Sequence, residues 1–300
     1  MRRKKKLITS ILAIIIVGIF YLFQNINMPS QNNVQQRVQE QAVTAEDALE
    51  VDFIDVGQAD SILLENEGHY MLVDAGNNED GPKLVTYLKE EGIKNFDYVV
   101  GTHPHEDHIG GLDDIIENFD IKTFYMPDVI TTTKTFEDVL DALDNKNIAL
   151  DIPKTNDTFQ LGDATVKVLY VGTEEESDLN DTSIVLKVTY QNISFLLTGD
   201  ASTKVEDQID KSELPSTVLK VGHHGSSTAT NEAFLKEVNP SYAIISVGKN
   251  NQYQHPHEVV LQALATHNIK VYRTDEDGTI KMKTDGTNIE IKTEKTDTNG

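Results

Sequence analysis

The sequence predicts an α+β domain carried behind a single apolar N-terminal helix. Strand-length apolar runs recur along the chain, separated by helix-length segments bounded by Gly and Pro. One early segment, Leu7–Phe23, is uncharged and mostly apolar over nearly the length that spans a bilayer. The chain is 38% hydrophobic over 300 residues, enough for one large domain with a sizeable core.

Residues 1–6 are a basic stub, with Arg2, Arg3, Lys4, Lys5 and Lys6 ahead of the apolar run. A helix over 7–23 is about 25 Å long at about 1.5 Å per residue, near the lower limit for a transmembrane span. The cationic side of such a span stays in the cytoplasm, so the rest of the chain is expected outside the cell membrane. Gln24-Asn25-Ile26-Asn27-Met28-Pro29 offers no small-x-small cleavage site, which favours an uncleaved anchor over a removed signal peptide. Residues 24–48 hold ten Gln or Asn and lack strong apolar periodicity, so they read as a polar linker. The domain is expected over 49–292, and the polar end 293–300 as a disordered tail.

Val51–Val56 and Ser61–Glu65 alternate as strands, and His69–Val73 returns after the turn formers Asn66-Glu67-Gly68. Pro82–Glu91 reads as a helix, with Pro in its first turn and Gly92 as its stop. Phe96–Thr102 is a buried strand. Leu112–Asn118, Lys134–Asn147 and Ser202–Lys211 have helical spacing. Thr165–Val171, Ser183–Tyr190 and Ile193–Thr198 are strands, the last two joined by Gln191-Asn192. Thr217–Val221 and Tyr242–Val247 are strands with the segment Asn231–Val238 between them. A helix at His257–His267 and strands at Lys270–Arg273, Thr279–Lys283 and Asn288–Lys292 complete the chain.

The strand ending at Thr102 runs directly into His103-Pro104-His105-Glu106-Asp107-His108 and then Ile109-Gly110-Gly111. A lone His is usually a surface or satisfied core residue. Three imidazoles and a carboxylate within one loop make a poor core and a good metal site, because nitrogen and oxygen donors converge there. Loops leaving strands are also where rigid scaffolds present catalytic groups. Asp200 follows the strand 193–198, and His223-His224-Gly225-Ser226 follows the strand 217–221. Cys is absent, which excludes disulfides and thiolate ligands.

H-x-H-x-D-H after a strand resembles the signature of metallo-β-lactamase-fold hydrolases. Phe53-Ile54-Asp55-Val56-Gly57-Gln58-Ala59-Asp60-Ser61, Leu196-Leu197-Thr198-Gly199-Asp200 and Leu219-Lys220-Val221-Gly222-His223-His224-Gly225-Ser226 narrow the likeness. With Ile245-Ser246-Val247-Gly248 and His255-Pro256, they resemble the C-terminal hydrolase domain of ComEC-type competence (DNA-uptake) proteins, in the same order over Val51–Lys292. The family's polytopic membrane channel has no counterpart here, so a role in DNA uptake does not follow.

The resemblance implies a four-layer αββα sandwich and two divalent metal ions, zinc or manganese. It places His103 and His105 on the first ion, Asp107 and His108 on the second, and Asp200 between both. One of His223 and His224 is expected to ligate, with His223 preferred. Asp74 is expected to orient the metal loop by hydrogen bonding. Asp107 and His255 are the expected catalytic residues, His255 as a donor to a leaving group or phosphate. Ser226 and Ser227 are candidates for a substrate oxyanion. Lys220 reads equally as a neutraliser of substrate charge or as strand packing. The family's third His on the first ion is missing, since no His lies between His108 and Asp200. Asn180-Asp181-Thr182-Ser183 stands in that region, which points to a weaker or oxygen-richer first site, favours manganese and disfavours β-lactam hydrolysis.

The formal charge is −23, and without residues 1–23 it is −28, from 21 basic against 49 acidic residues. Such a surface repels polyanions and counts against tight non-specific duplex binding. The expected function is a membrane-anchored, extracytoplasmic, metal-dependent hydrolase. Its expected substrate is single-stranded DNA or a small phosphodiester. The alternatives are a non-catalytic binding or scaffold module on the same fold, and a lactone or β-lactam hydrolase.

Overall fold

The computed structural model describes residues 40, 42–43 and 47–297. The basic stub, the apolar run 7–23, most of the linker and residues 298–300 lie outside them. Among the described residues, no helix is long and apolar enough to cross a membrane.

Strands β1 (Leu49–Phe53), β2 (Ile62–Asn66), β3 (His69–Val73), β4 (Asn95–Val100), β5 (Asp120–Tyr125) and β6 (Leu150–Asp151) belong to a first sheet. A second sheet holds β7 (Thr158–Leu161), β8 (Ala164–Tyr170), β9 (Val185–Tyr190), β10 (Ile193–Leu197), β11 (Val218–Lys220), β12 (Tyr242–Ile245) and β13 (Lys270–Arg273). The chain then returns to the first sheet with β14 (Ile280–Thr284) and β15 (Ile289–Thr293). The orders are β15-β14-β1-β2-β3-β4-β5-β6 and β13-β12-β11-β10-β9-β8-β7. β3 to β6 pair parallel, as do β10 to β13.

Period-two alternation builds the layers. Leu49, Val51 and Phe53 of β1 share one buried cluster with Val166, Val168, Leu186, Phe195 and Leu197 of the other sheet. Leu63 and Leu72 face the opposite way. They share a second cluster with apolar residues of α1 (Gly81–Glu90), α3 (Leu112–Asn118) and α4 (Lys134–Lys146), and with Ile109 of the short α2 (Glu106–Ile109). On the far side, Leu196, Leu219 and Ala243 join α5 (Thr203–Glu206), α6 (Glu232–Val238) and α7 (Glu258–Thr266) in a third. Helices, sheet, sheet and helices therefore meet at three apolar interfaces, an α+β sandwich. Phe53 is fully buried at the middle interface. Phe53→Ala would remove about 3–5 kcal/mol of stability through lost transfer and a cavity.

Local signals set the helix ends. Thr133 Oγ1 accepts from Phe136 N at 3.3 Å to open α4, and Asn147 closes it at φ 55°. Asn231 Oδ1 accepts from Phe234 N at 2.9 Å to open α6, and Asn239 closes it at φ 48°.

Some boundaries differ from those the sequence suggests. The helix expected over Ser202–Lys211 is the single turn α5. Val205 and Ile209 are both buried, as their spacing requires, but the chain reaches Ile209 through turns. Order continues past residue 292. Thr293 pairs with Ile280, and Thr279 N donates to the Glu294 carboxylate at 3.0 Å at the start of a one-turn helix, Glu294–Asp297. At the other end, Glu40 bridges Ile289 and takes Lys270 Nζ at 2.7 Å, and Val43 is buried. The described part of the linker thus lies against β13 and β15.

Candidate metal centre

The candidate residues sit on loops leaving β3, β4, β10 and β11, at one end of the two sheets. The loop after β4 is held tightly. Gly110 N donates to Gly76 O at 2.9 Å, and a Cβ on Gly110 would lie 2.3 Å from Asn77 C and Asn78 N. Only glycine lets these two backbones approach, which accounts for the Gly after the motif. His103 is fully buried, with Nε2 3.0 Å from His105 Nδ1. Asp74 stands behind His108, accepting from its Nδ1 at 2.7 Å and from Thr102 N and Oγ1 at 2.8 Å each. That contact places the proton on Nδ1 and turns the His108 Nε2 lone pair inward.

The loop after β11 is strained. His223 and His224 are consecutive left-handed residues, at φ 50° and 52°, each an uncommon state for a side chain with a Cβ. Gly225 follows at φ +83°, where a Cβ would meet Pro256 at 2.5 Å. The result is that the two imidazoles part. His224 is buried, and its Nδ1 donates to Ser246 O at 2.9 Å. Its Nε2 then lies 3.3 Å from Asp107 Oδ2 and 3.6 Å from Asp200 Oδ2. His223 is more open. Its Nδ1 pairs with Thr228 Oγ1 at 3.0 Å, and its Nε2 is 3.6 Å from Asp200 Oδ2. His224 therefore joins Asp107, His108 and Asp200, while His223, the expected ligand of the two, stands more openly at the same distance from Asp200.

Asp107, His108, Asp200 and His224 bring one ligand atom each within 4.8 Å of one another. Asp200 Oδ1 faces His108 Nε2 at 3.3 Å, while Oδ2 faces the two His of the later loop. His108 Nε2, His224 Nε2 and Asp200 Oδ1 are buried without a hydrogen-bond partner. Buried polar atoms left unpaired cost about 1–3 kcal/mol each. Nitrogen and carboxylate donors converging this way fit a divalent cation.

The surrounding carboxylates favour a positive charge at this spot, either a proton on His108 Nε2 or a cation that replaces it. Burial alone would lower the His108 pKa, but Asp200, Asp74 and Asp107 together push it well above the usual value. Burial would raise Asp200, yet His108, His224 and His103 hold its carboxyl well below the usual range. His103, buried and beside His108, is pushed well down and stays neutral.

A cavity of about 280 Å³ opens onto this cluster, lined among others by His105, Asn180, His223 and His255. Asn180 lines the cavity and its Oδ1 is buried without a partner, an oxygen donor in the region where a third His was missing. His255 stands on the wall, Nδ1 3.5 Å from Gln58 Nε2. Ser226 and Ser227 do not join it. Ser226 Oγ is buried and accepts from Thr228, and Ser227 is exposed with its N–H on His257 Nδ1. The tight turn at Gly225 carries both away. Lys220 does not face substrate either, being fully buried in β11. Gln58 and Tyr253 also line the cavity. Gln58 lies within the motif Phe53–Ser61, whereas no sequence pattern marks Tyr253.

Residues 54–249 match the family model of the metallo-β-lactamase superfamily. The chain belongs to this superfamily. ComE operon protein 3 of Bacillus subtilis (strain 168) is 34% identical over 254 residues, covering 78% of this chain and 33% of that protein. Competence protein ComA of Neisseria gonorrhoeae is 29% identical over 234 residues, covering 76% of this chain and 31% of that protein. The chain thus spans about a third of the length of these relatives. Among solved structures, the metallo-β-lactamase-fold protein YhfI of Bacillus subtilis superposes with a TM-score of 0.54 at 15% identity, covering 78% of this chain and all of that one. CmlA of Streptomyces venezuelae, a diiron β-hydroxylase, gives 0.52 at 13%, covering 77% of this chain and 53% of that one. At these identities the structures establish the fold alone. The metallo-β-lactamase fold binds divalent metal ions, and the His and Asp cluster supplies the donors here.

Proposed function

We propose that the domain is a metal-dependent hydrolase of phosphodiesters, held outside the cell by an anchor at 7–23. The observation that carries this reading is the convergence of Asp107, His108, Asp200 and His224 with buried donor atoms left unpaired. These four would hold one ion, zinc or manganese. His103 and His105 would hold a second, with Asn180 and Asp200 supplying oxygen. When bound, such ions lower the pKa of a water and offset charge building on a phosphoryl group.

The chain's own residues orient and exclude. Asp74 fixes the His108 tautomer, and Ser246 O fixes that of His224. Burial, with His223, His224 and His257 nearby, pushes the His255 pKa down to about 4, so the ring is neutral at pH 7. A neutral His255 donates one N–H to a phosphate oxygen or leaving group rather than acting as an imidazolium. The acidic surface favours a small phosphodiester or a single strand over a duplex. The anchor is supported by the basic residues before Leu7.

Turnover of bis-p-nitrophenyl phosphate and of single-stranded DNA, with manganese, zinc or chelator, tests the proposal. Metal-supported hydrolysis that chelator abolishes is expected. Two bound ions per chain without hydrolysis of either substrate would refute it in favour of a binding module.

A further inference from the structure

A buried ion pair lies behind the metal cluster. Lys220, the last residue of β11, is 0% exposed, and its Nζ is 2.8 Å from Oδ2 of Asp60, which is 1% exposed. Desolvating two charges is unfavourable, and apolar residues of similar volume would often serve a core as well or better. Simple packing therefore accounts poorly for this pair.

Its connections lead to the cluster. Asp60 N donates to Asp107 O at 3.0 Å, and Asp60 O accepts from Gly76 N at 2.9 Å. Asp60 Oδ1 has no hydrogen-bond partner and sits 3.5 Å from His224 Nδ1. A ligand atom of Asp60 also lies within 4.8 Å of Asp74 and His108. Lys220 Nζ donates to Val221 O at 3.2 Å, and Lys220 O accepts from Thr198 Oγ1 at 3.0 Å, two residues before Asp200. Asp60 and Lys220 thus touch every loop that brings a donor to the cluster of four.

We propose that Asp60 and Lys220 are positioning residues that aim His224 at its ion and lock the Asp107 and His224 loops in register. The carboxylate of Asp60 backs the His224 ring, and Lys220 keeps that carboxylate in place. This rests on the metal reading above. It assigns a task to the Gln58-Ala59-Asp60 and Leu219-Lys220 motifs that ligation alone does not use.

The test uses the full chain, metal-free and then titrated with Co²⁺ as an optical probe. Asp60→Asn and Lys220→Met each strand a buried charge, so the double variant, which removes both, is the principal readout. We expect it to keep the metal-free melting transition. It should bind one of two Co²⁺ equivalents about 10–100-fold more weakly, with shifted visible bands for that equivalent alone. Asp60→Glu, which keeps the charge but displaces it, should weaken the same equivalent and provides the readout if the double variant does not fold. Wild-type affinity and spectrum in the folded variants would overturn the proposal alone, even if their stability fell. A wild-type chain that takes up no Co²⁺ would overturn it together with the metal reading.

Discussion

Glu206 gives a sharp test of the electrostatics of this fold. Its side chain is buried at the end of α5, with Oε1 accepting from Thr230 N at 2.7 Å and Oε2 without a partner. Burial, against the pull of the Thr230 hydrogen bonds, pushes its pKa up to about 8. The folded state therefore holds a proton that the unfolded chain releases near the ordinary glutamate value of 4.5. With more protons bound in the folded state, stability falls as pH rises from about 4.5 to about 8 and then levels off. At about 1.4 kcal/mol per unit the full loss is of order 3–5 kcal/mol, once relaxation relieves part of the strain. Glu206→Gln keeps the acceptor for Thr230 N and removes the titration. Urea unfolding of metal-free protein, followed by circular dichroism from pH 5 to pH 9, reads the difference. The variant should gain on wild type steadily through that window. A difference flat with pH to within about 1 kcal/mol would show that Glu206 is solvated and the reasoning wrong. Thr230 Oγ1 also accepts from Gly222 N at 3.0 Å, so the same ionisation bears on the His223-His224 turn.

Asp107→Ala should lower phosphodiester hydrolysis by roughly hundreds-fold, given what a metal-activated water contributes, while the metal-free melting temperature barely moves. A folded variant with less metal and wild-type turnover would place the chemistry elsewhere. Gly110→Ala should cost about 2–3 kcal/mol or more in chemical denaturation, because its Cβ meets the Asn77–Asn78 backbone at 2.3 Å. Stability unchanged by that methyl would mean the two loops are not in contact. Protease added to wall-stripped intact cells should digest the domain, and digestion only after lysis would put it on the cytoplasmic side.

Much of the fold could be read because its strands alternate cleanly. β1, β2 and β3 each send one set of residues between the sheets, and the turn at Asn66-Glu67-Gly68 shows where the chain reverses. β5 is harder to read, since Asp120 and Lys122 are exposed and Ile121 and Thr123 only partly buried, which leaves a weak apolar signature. The metal loop was legible because its donors are contiguous and follow a buried strand. The choice between His223 and His224 was not, because adjacent side chains diverge and the left-handed turn decides which one enters. Ser226 and Ser227 misled for the same reason, since the motif gives proximity in sequence and the turn removes it in space. Asp60 and Lys220 lie far apart in the chain, and neither residue alone signals a buried pair.

The cluster of four also bears on how the protein is made. Asp107 and His108 come from the first half of the chain, Asp200 and His224 from the second, and the two sheets must dock before these donors meet. An emerging chain that has delivered only the His103–His108 loop offers an incomplete grip. An ion held by all four donors would therefore stabilise the docked molecule over any form in which the two sheets are still apart.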